Sequence, residues 1–249
     1  MPVYTRKFRD ISIADVPDVG GKNASLGEMF SQLQMKGIRV PDGFATTSAA
    51  FWKFIDTNSL RPRLEQLMQS LDRQRYTNLA ATGMLARQLL MQAEMPAEVV
   101  SDIINAYREF SAGRNIAVAV RSSATAEDLP QASFAGQHES FLNIRGEKAL
   151  LEAVRRCFAS LYTDRAIKYR EDNGFEHEKV ALSVGIQEMV RSDTSSSGVA
   201  FTLEPESGFR DVIHISGVWG LGENLVQGTV TPDEFLVFKP SLKNNDDAI

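Results

Sequence analysis

Val180, Leu182, Val184 and Ile186 alternate strictly with the small or polar residues Ala181, Ser183, Gly185 and Gln187. A period of two belongs to a β-strand, because successive side chains point to opposite faces of a sheet. Other short strands are expected at 116–120, 140–144, 198–202, 212–216 and 234–238. The first half reads differently. Leu26, Met29, Phe30 and Leu33 recur at helical spacing, and Gly37 is placed to end that helix. Thr47-Ser48 would cap a second helix carrying Phe51, Phe54 and Ile55. Leu64, Leu67, Met68 and Leu71 mark a third, Leu85, Leu89 and Leu90 a fourth. Pro96 sits in the first turn of a fifth, ahead of Val100, Ile103, Ile104 and Tyr107. One long helix is expected over 147–170. The sum is an α+β chain of two lobes, 1–174 and 175–249, with the boundary near Asn173-Gly174.

Composition narrows the function classes. The 249 residues carry 27 basic and 32 acidic side chains, a net charge of −5 that lacks the basic footprint of a nucleic-acid binder. Such a chain still holds a polyanion where a few cations and backbone N–H groups converge. No apolar run approaches the ~20 residues of a membrane helix, and no apolar stretch follows the charges at the N-terminus. The single cysteine, Cys157, excludes an internal disulfide and suits a reducing compartment, so a cytoplasmic protein is expected. His138, His177 and His214 show no zinc-ligand spacing and read as surface or strand residues. Ser195-Ser196-Ser197 reads as a turn, since no G-x-S-x-G elbow is present.

Five segments are candidates for chemistry. In Gly20-Gly21-Lys22-Asn23-Ala24-Ser25 two glycines allow close backbone approach, and a helix start offers N–H groups and a positive dipole end beside Lys22. The Walker A spacing is absent, and a glycine turn before a surface lysine fits equally. Arg121, ending the 116–120 strand, is followed by Ser122, Ser123 and Thr125 and presents a fork of donors. Its other reading is an ion pair with Glu127 or Asp128. Around Gly136 and Ser140, small residues would make a flap with Phe134 as latch, or a plain hairpin. Gln187, Glu188, Met189 and Val190 end the best strand and offer the backbone groups that read adenine, or simply close a core strand. Gly220-Leu221-Gly222-Glu223 fails the dinucleotide fingerprint at Leu225. Its carboxylate Glu223 faces a metal or belongs to a turn.

The order of these segments carries more than any one of them. Val19-Gly20-Gly21-Lys22-Asn23-Ala24-Ser25-Leu26-Gly27-Glu28-Met29, Val40-Pro41-Asp42-Gly43-Phe44, Ala119-Val120-Arg121-Ser122-Ser123-Ala124-Thr125-Ala126-Glu127-Asp128, Ser133-Phe134-Ala135-Gly136-Gln137, Ser197-Gly198-Val199-Ala200-Phe201-Thr202 and Pro232-Asp233-Glu234-Phe235 resemble the ATP-binding domain of phosphoenolpyruvate synthases, within the PEP-utilising enzymes. That resemblance implies an ATP-grasp-type fold, with ATP and Mg²⁺ held between two lobes. It implies that Lys22 and Arg121 hold phosphates, that Gly136 and Ser140 close over them, and that Gln187 with the backbone of Glu188, Met189 and Val190 holds adenosine. Glu223 is the carboxylate nominated for the metal. The family reaction turns ATP, pyruvate and water into AMP, phosphoenolpyruvate and phosphate by way of a phosphohistidine domain and a pyruvate-binding barrel. Those partner domains, and the family's later metal and phosphate ligands, are expected beyond residue 249, leaving the second lobe incomplete and this chain inactive alone. The alternatives are the same module of a rifampicin phosphotransferase or a pyruvate phosphate dikinase, or a nucleotide-binding module without catalysis.

Overall fold

The computed structural model describes residues 3–125, 128–129, 132–133 and 140–243. Its elements run β1 (Thr5–Lys7), α1 (Val16–Gln34), β2 (Gly43–Thr46), α2 (Ser48–Thr57), α3 (Arg61–Gln69), α4 (Leu79–Gln92), α5 (Ala97–Ser111), β3 (Val118–Ala124), β4 (Asp128–Leu129) and β5 (Ala132–Ser133). They continue with β6 (Ser140–Ile144), α6 (Glu147–Ser160), α7 (Asp164–Asp172), β7 (Leu182–Glu188), β8 (Ser196–Phe201), β9 (Val212–Trp219), α8 (Glu223–Val226), β10 (Asp233–Phe238) and α9 (Lys239–Lys243). The fold is α+β, in two compact units, Met1–Met189 and Val190–Ile249. No helix of the described residues is long and apolar enough to cross a membrane.

The first unit is built on an antiparallel five-stranded sheet ordered β1-β2-β7-β3-β6. The alternating run does form a strand, β7, and it lies at the sheet's centre. Its pairing with β3 sets Val120 opposite Ile186 and Ala124 opposite Leu182, with Val118 and Val184 on the same face. With Phe44 these side chains are all but fully buried, and α2, α5 and α6 cover them. Phe51 and Phe54 pack on Phe158 with ring centroids 5.3 and 5.5 Å apart. Each such aromatic contributes about 1.5–3 kcal/mol relative to an exposed ring. Cys157 is buried in the same core.

Several expectations are corrected. The boundary expected near Asn173-Gly174 lies inside the first unit, because β7 is hydrogen-bonded on both edges to β2 and β3. The long helix over 147–170 is two, α6 and α7. Thr163 takes an extended conformation and its hydroxyl caps the amide of Ala166, restarting the helix although the apolar pattern runs on. β3 runs three residues past Arg121, so Ser122 and Ser123 are buried strand residues rather than loop hydroxyls. Ser196 and Ser197 open β8 instead of forming a turn. Gly37 ends α1 as expected, at φ +77°, and Thr47 caps α2 by accepting from Ala50 N–H.

The second unit is a three-stranded antiparallel sheet, β10-β9-β8. It buries little: Val212 and Val237 are enclosed, whereas Phe201, Trp219, Phe235, Leu236 and Phe238 are exposed.

His177, expected at the surface or in a strand, is instead buried where the chain passes from α7 to β7. Arg170 Nε donates to His177 Nδ1 at 2.7 Å, so the proton sits on Nε2, which faces Glu171 Oε1 at 2.7 Å. Arg73 closes the other oxygen of Glu171 at 2.8 Å. Burial, then the neighbouring Arg170 charge, pushes His177 down to about 4. Burial alone would raise Glu171, but Arg73 and His177 outweigh it and hold the carboxyl below its usual range.

The unfolded chain protonates His177 near pH 6.5, whereas the folded chain resists until about 4. Stability present above the first value is therefore lost as pH falls towards the second. Thermal unfolding between pH 7 and 4.5 should show a loss of about 1–3 kcal/mol. His177→Gln should flatten that dependence, and an unchanged slope would assign it to other groups.

Candidate functional site

Opposite the apolar core, the central sheet presents a row of small and polar residues. Register places Ser140 on β6, Arg121 on β3, Gly185 on β7 and Ala45 on β2 side by side. One step along, Ala119, Gln187 and Gly43 form the next row. Arg121 is the one exposed residue of β3.

Helix α1 covers this face, and it seats an unexpected side. Val19, Gly20, Gly21, Asn23, Ala24 and Gly27 are its buried residues, while Leu26 and Phe30 are half-buried and Met29 is exposed. Small side chains let the helix sit close. A Cβ at Gly20 would lie 2.3 Å from Ser123 Oγ and 2.7 Å from the Ser123 carbonyl. Gly20 also breaks the helix, at φ 74° and ψ 161°, so the continuous helix begins at Gly21. Its first N–H groups and positive dipole end therefore fall at Gly21, Lys22 and Asn23.

Asn23, only 2% exposed, pins this turn to the sheet. Its amide donates to the Val19 carbonyl at 3.1 Å and to Ser183 Oγ at 2.9 Å. Ser183 in turn donates to the Thr46 carbonyl, and Thr46 Oγ1 accepts from Val184 N–H at 2.9 Å. Gly185 leaves the room: a Cβ there would meet Asn23 Oδ1 at 2.2 Å.

Between α1 and the sheet lies a cavity of about 360 Å³ whose lining includes Phe8, Gly21, Lys22, Asn23, Ser25, Arg121, Gly185 and Gln187. Lys22, Arg121 and Gln187, nominated from three distant segments, thus share one cavity. None of its described lining residues is acidic. A larger cavity of about 430 Å³ is lined by both signs, Arg6 and Lys7 with Asp10, Asp102 and Glu109. Charge therefore favours the 360 Å³ cavity as the anion site, although it is smaller.

The other nominated residues divide. Ser140 stands directly opposite Arg121 across the β3–β6 pair. Gly136 and His138 lie outside the described residues. Gln187 donates to the Pro41 carbonyl at 3.0 Å. Glu188 and Met189 N–H groups donate to the Asp42 and Ala117 carbonyls, each at 3.0 Å. Those two amides are sheet donors, so this stretch has other groups to offer a base. Val190 opens the second unit and is exposed. Glu223 begins the four-residue α8 there, accepting from Gln227 at 3.0 Å. No three His, Cys, Asp or Glu side chains converge among the described residues. Asn23, Ser183 and Gly185 were not nominated. The available signal was a polar residue four after Val19, on the glycine-bearing side of α1.

Comparison with known proteins shows the family of the chain. Residues 16–249 match the family model described as pyruvate phosphate dikinase, AMP/ATP-binding domain. The chain is 52% identical over 250 aligned residues to a phosphoenolpyruvate synthase of Pseudomonas aeruginosa, covering 100% of this chain and 32% of that protein. It is 50% identical to the phosphoenolpyruvate synthase of Escherichia coli (97% and 31%). A probable phosphoenolpyruvate synthase of Staphylothermus marinus is 45% identical (96% and 29%). The chain spans about a third of the length of these curated relatives.

Gly20→Ala should cost about 2–4 kcal/mol in chemical denaturation, combining a left-handed backbone with a collision against Ser123. Gly37→Ala is the control, since its φ is also positive but nothing lies within 4 Å; it should cost only about 1 kcal/mol. Equal losses at the two positions would contradict the close seating of α1.

Proposed function

The chain belongs to the family of pyruvate phosphate dikinase AMP/ATP-binding domains, and on that premise we propose that its 360 Å³ cavity receives the phosphates of ATP. The observation that carries this reading is the cavity's charge: Lys22 and Arg121 line it beside a helix start, with no acidic residue among its described lining, in a chain of net charge −5. Arg121 offers a planar fork of donors, Lys22 a compact ammonium, and the α1 N-terminus backbone amides. Such groups, fixed before the ligand arrives, stabilise the charge that spreads over phosphoryl oxygens during transfer. Arg121 and Lys22 are therefore the proposed phosphate-transfer residues, with Gly136 and Ser140 closing over the phosphates. Gln187 with Glu188, Met189 and Val190 is the proposed adenosine side.

The full reaction proposed is that of a phosphoenolpyruvate synthase. ATP's phosphoryl group passes to a phosphohistidine carrier domain and then to pyruvate, giving AMP, phosphoenolpyruvate and phosphate in the cytoplasm. The relatives' names and the likeness along the whole chain support it. The described side chains do not by themselves make a Mg²⁺ site. Mg²⁺ habitually keeps waters and takes phosphate oxygens with one or two carboxylates. We therefore assign it to the nucleotide, with Glu223 as the candidate carboxylate.

Calorimetric titration of MgATP into the chain tests the reading. Lys22→Ala and Arg121→Ala should each weaken binding by about tenfold or more, as loss of a charge-assisted phosphate contact does. Wild-type affinity in both variants would remove the phosphates from this cavity.

A further inference from the structure

We propose that Asn23 is a positioning residue for the phosphate site, fixing where Lys22 stands relative to Arg121. The inference rests on the ATP-binding reading and names what holds its geometry. Lys22 and Arg121 come from elements about a hundred residues apart, and no register relation joins a helix to a strand. Something must set the distance between them.

The structure offers one clasp at that point. Asn23 follows Lys22 directly, and its amide nitrogen reaches in two directions at once. One hydrogen bond, 3.1 Å to the Val19 carbonyl, spans the break that Gly20 makes in α1. The other, 2.9 Å to Ser183 Oγ, reaches β7, and Ser183 passes the link to the Thr46 carbonyl on β2. The clasp is buried, with Asn23 at 2% and Ser183 at 0% exposure, so water cannot replace it cheaply. It also lies next to Arg121. Gly185 is Arg121's cross-strand partner, and Asn23 Oδ1 occupies the space above Gly185 that a Cβ would take.

One amide therefore sits between the two cations' supports. Without it, the first turn of the continuous helix would lose its hydrogen bond to β7 and rest there on the packing of small residues such as Ala24. Those contacts do not restrain sliding along the sheet, whereas a hydrogen bond to a fixed hydroxyl does. The chemistry supplied is pre-organisation: the lysine's position is settled before the polyphosphate binds.

The test compares ATP with adenosine, which lacks phosphates, in the 249-residue chain. MgATP is titrated by calorimetry, and adenosine is measured by displacement of ATP. Asn23→Ala should weaken ATP about tenfold while leaving adenosine within about twofold. In a Lys22→Ala background the same substitution should change ATP affinity by less than about twofold, because the residue acts through the lysine. Equal losses for ATP and adenosine, or a full additional loss without Lys22, would reduce Asn23 to a structural role and overturn the inference. Circular dichroism checks the fold. If Asn23→Ala does not fold, Ser183→Ala keeps the Asn23 bond to Val19 but removes the Asn23–Ser183–Thr46 link, and it should give the same pattern at about threefold. The double variant Asn23→Ala/Gly185→Ala refills the space without restoring the bonds; recovery of ATP affinity in it would also overturn the inference. Wild-type chain that binds no ATP would overturn the underlying reading and this inference together, whereas wild-type binding with an unaffected Asn23→Ala would overturn this inference alone.

Discussion

Helix α1 can lie close to the central sheet because the facing positions carry almost no side chain. Gly20 abuts Ser123 on β3, Gly27 abuts Ile11, and Gly185 on β7 leaves a hollow for Asn23. Close packing without bulk gives little hydrophobic stabilisation, and the small cluster of Phe8, Ile11, Val19, Ala24 and Ala45 is modest beside the main core. The Asn23–Ser183–Thr46 hydrogen bonds therefore have to fix what packing leaves loose. The remaining gap between helix and sheet is the cavity that Lys22, Arg121 and Gln187 share. A larger residue at any of the three glycines would lift the helix and change the spacing of the cations.

The opposite face of the sheet supplies the rigidity this arrangement needs. Val118, Val120, Leu182, Val184 and Ile186 are sealed under α2, α5 and α6, so β3 and β7 cannot shift register without exposing a whole apolar set. The Arg170–His177–Glu171 chain secures the approach to β7 in the same way. Arg170 is fully buried and stays a cation even with its pKa lowered to about 10 by burial, so its charge must be met by protein groups. One face thus works by bulk and the other by its absence.

That contrast also explains what the sequence disclosed. The alternation around Val184 is readable because bulky aliphatics and small residues keep to separate faces over four repeats. Lys22, Arg121 and Gln187 are recognisable one at a time, since cations and amides after glycines or strands are local signals. Their meeting was not, because it depends on β3 pairing with a strand some sixty residues later. Serine is a turn former, so Ser122 and Ser123 masked the end of β3. The apolar period that crosses Leu161 masked the break before α7. Asn23 was not singled out and His177 was expected at the surface or in a strand for one reason: a polar residue shows its burial only through partners distant in the chain.

On the proposed function, the α1 N-terminus and the β3–β7 rows form one phosphate-holding surface. Amide NMR of the labelled chain during titration with MgATP examines it directly. Shifts should concentrate at Gly21, Lys22 and Asn23, at Arg121 and Ser122, and at Gly185 and Gln187. Shifts centred instead on the acid-rich cavity beside Arg170 and His177, with the α1 N-terminus unmoved, would contradict it.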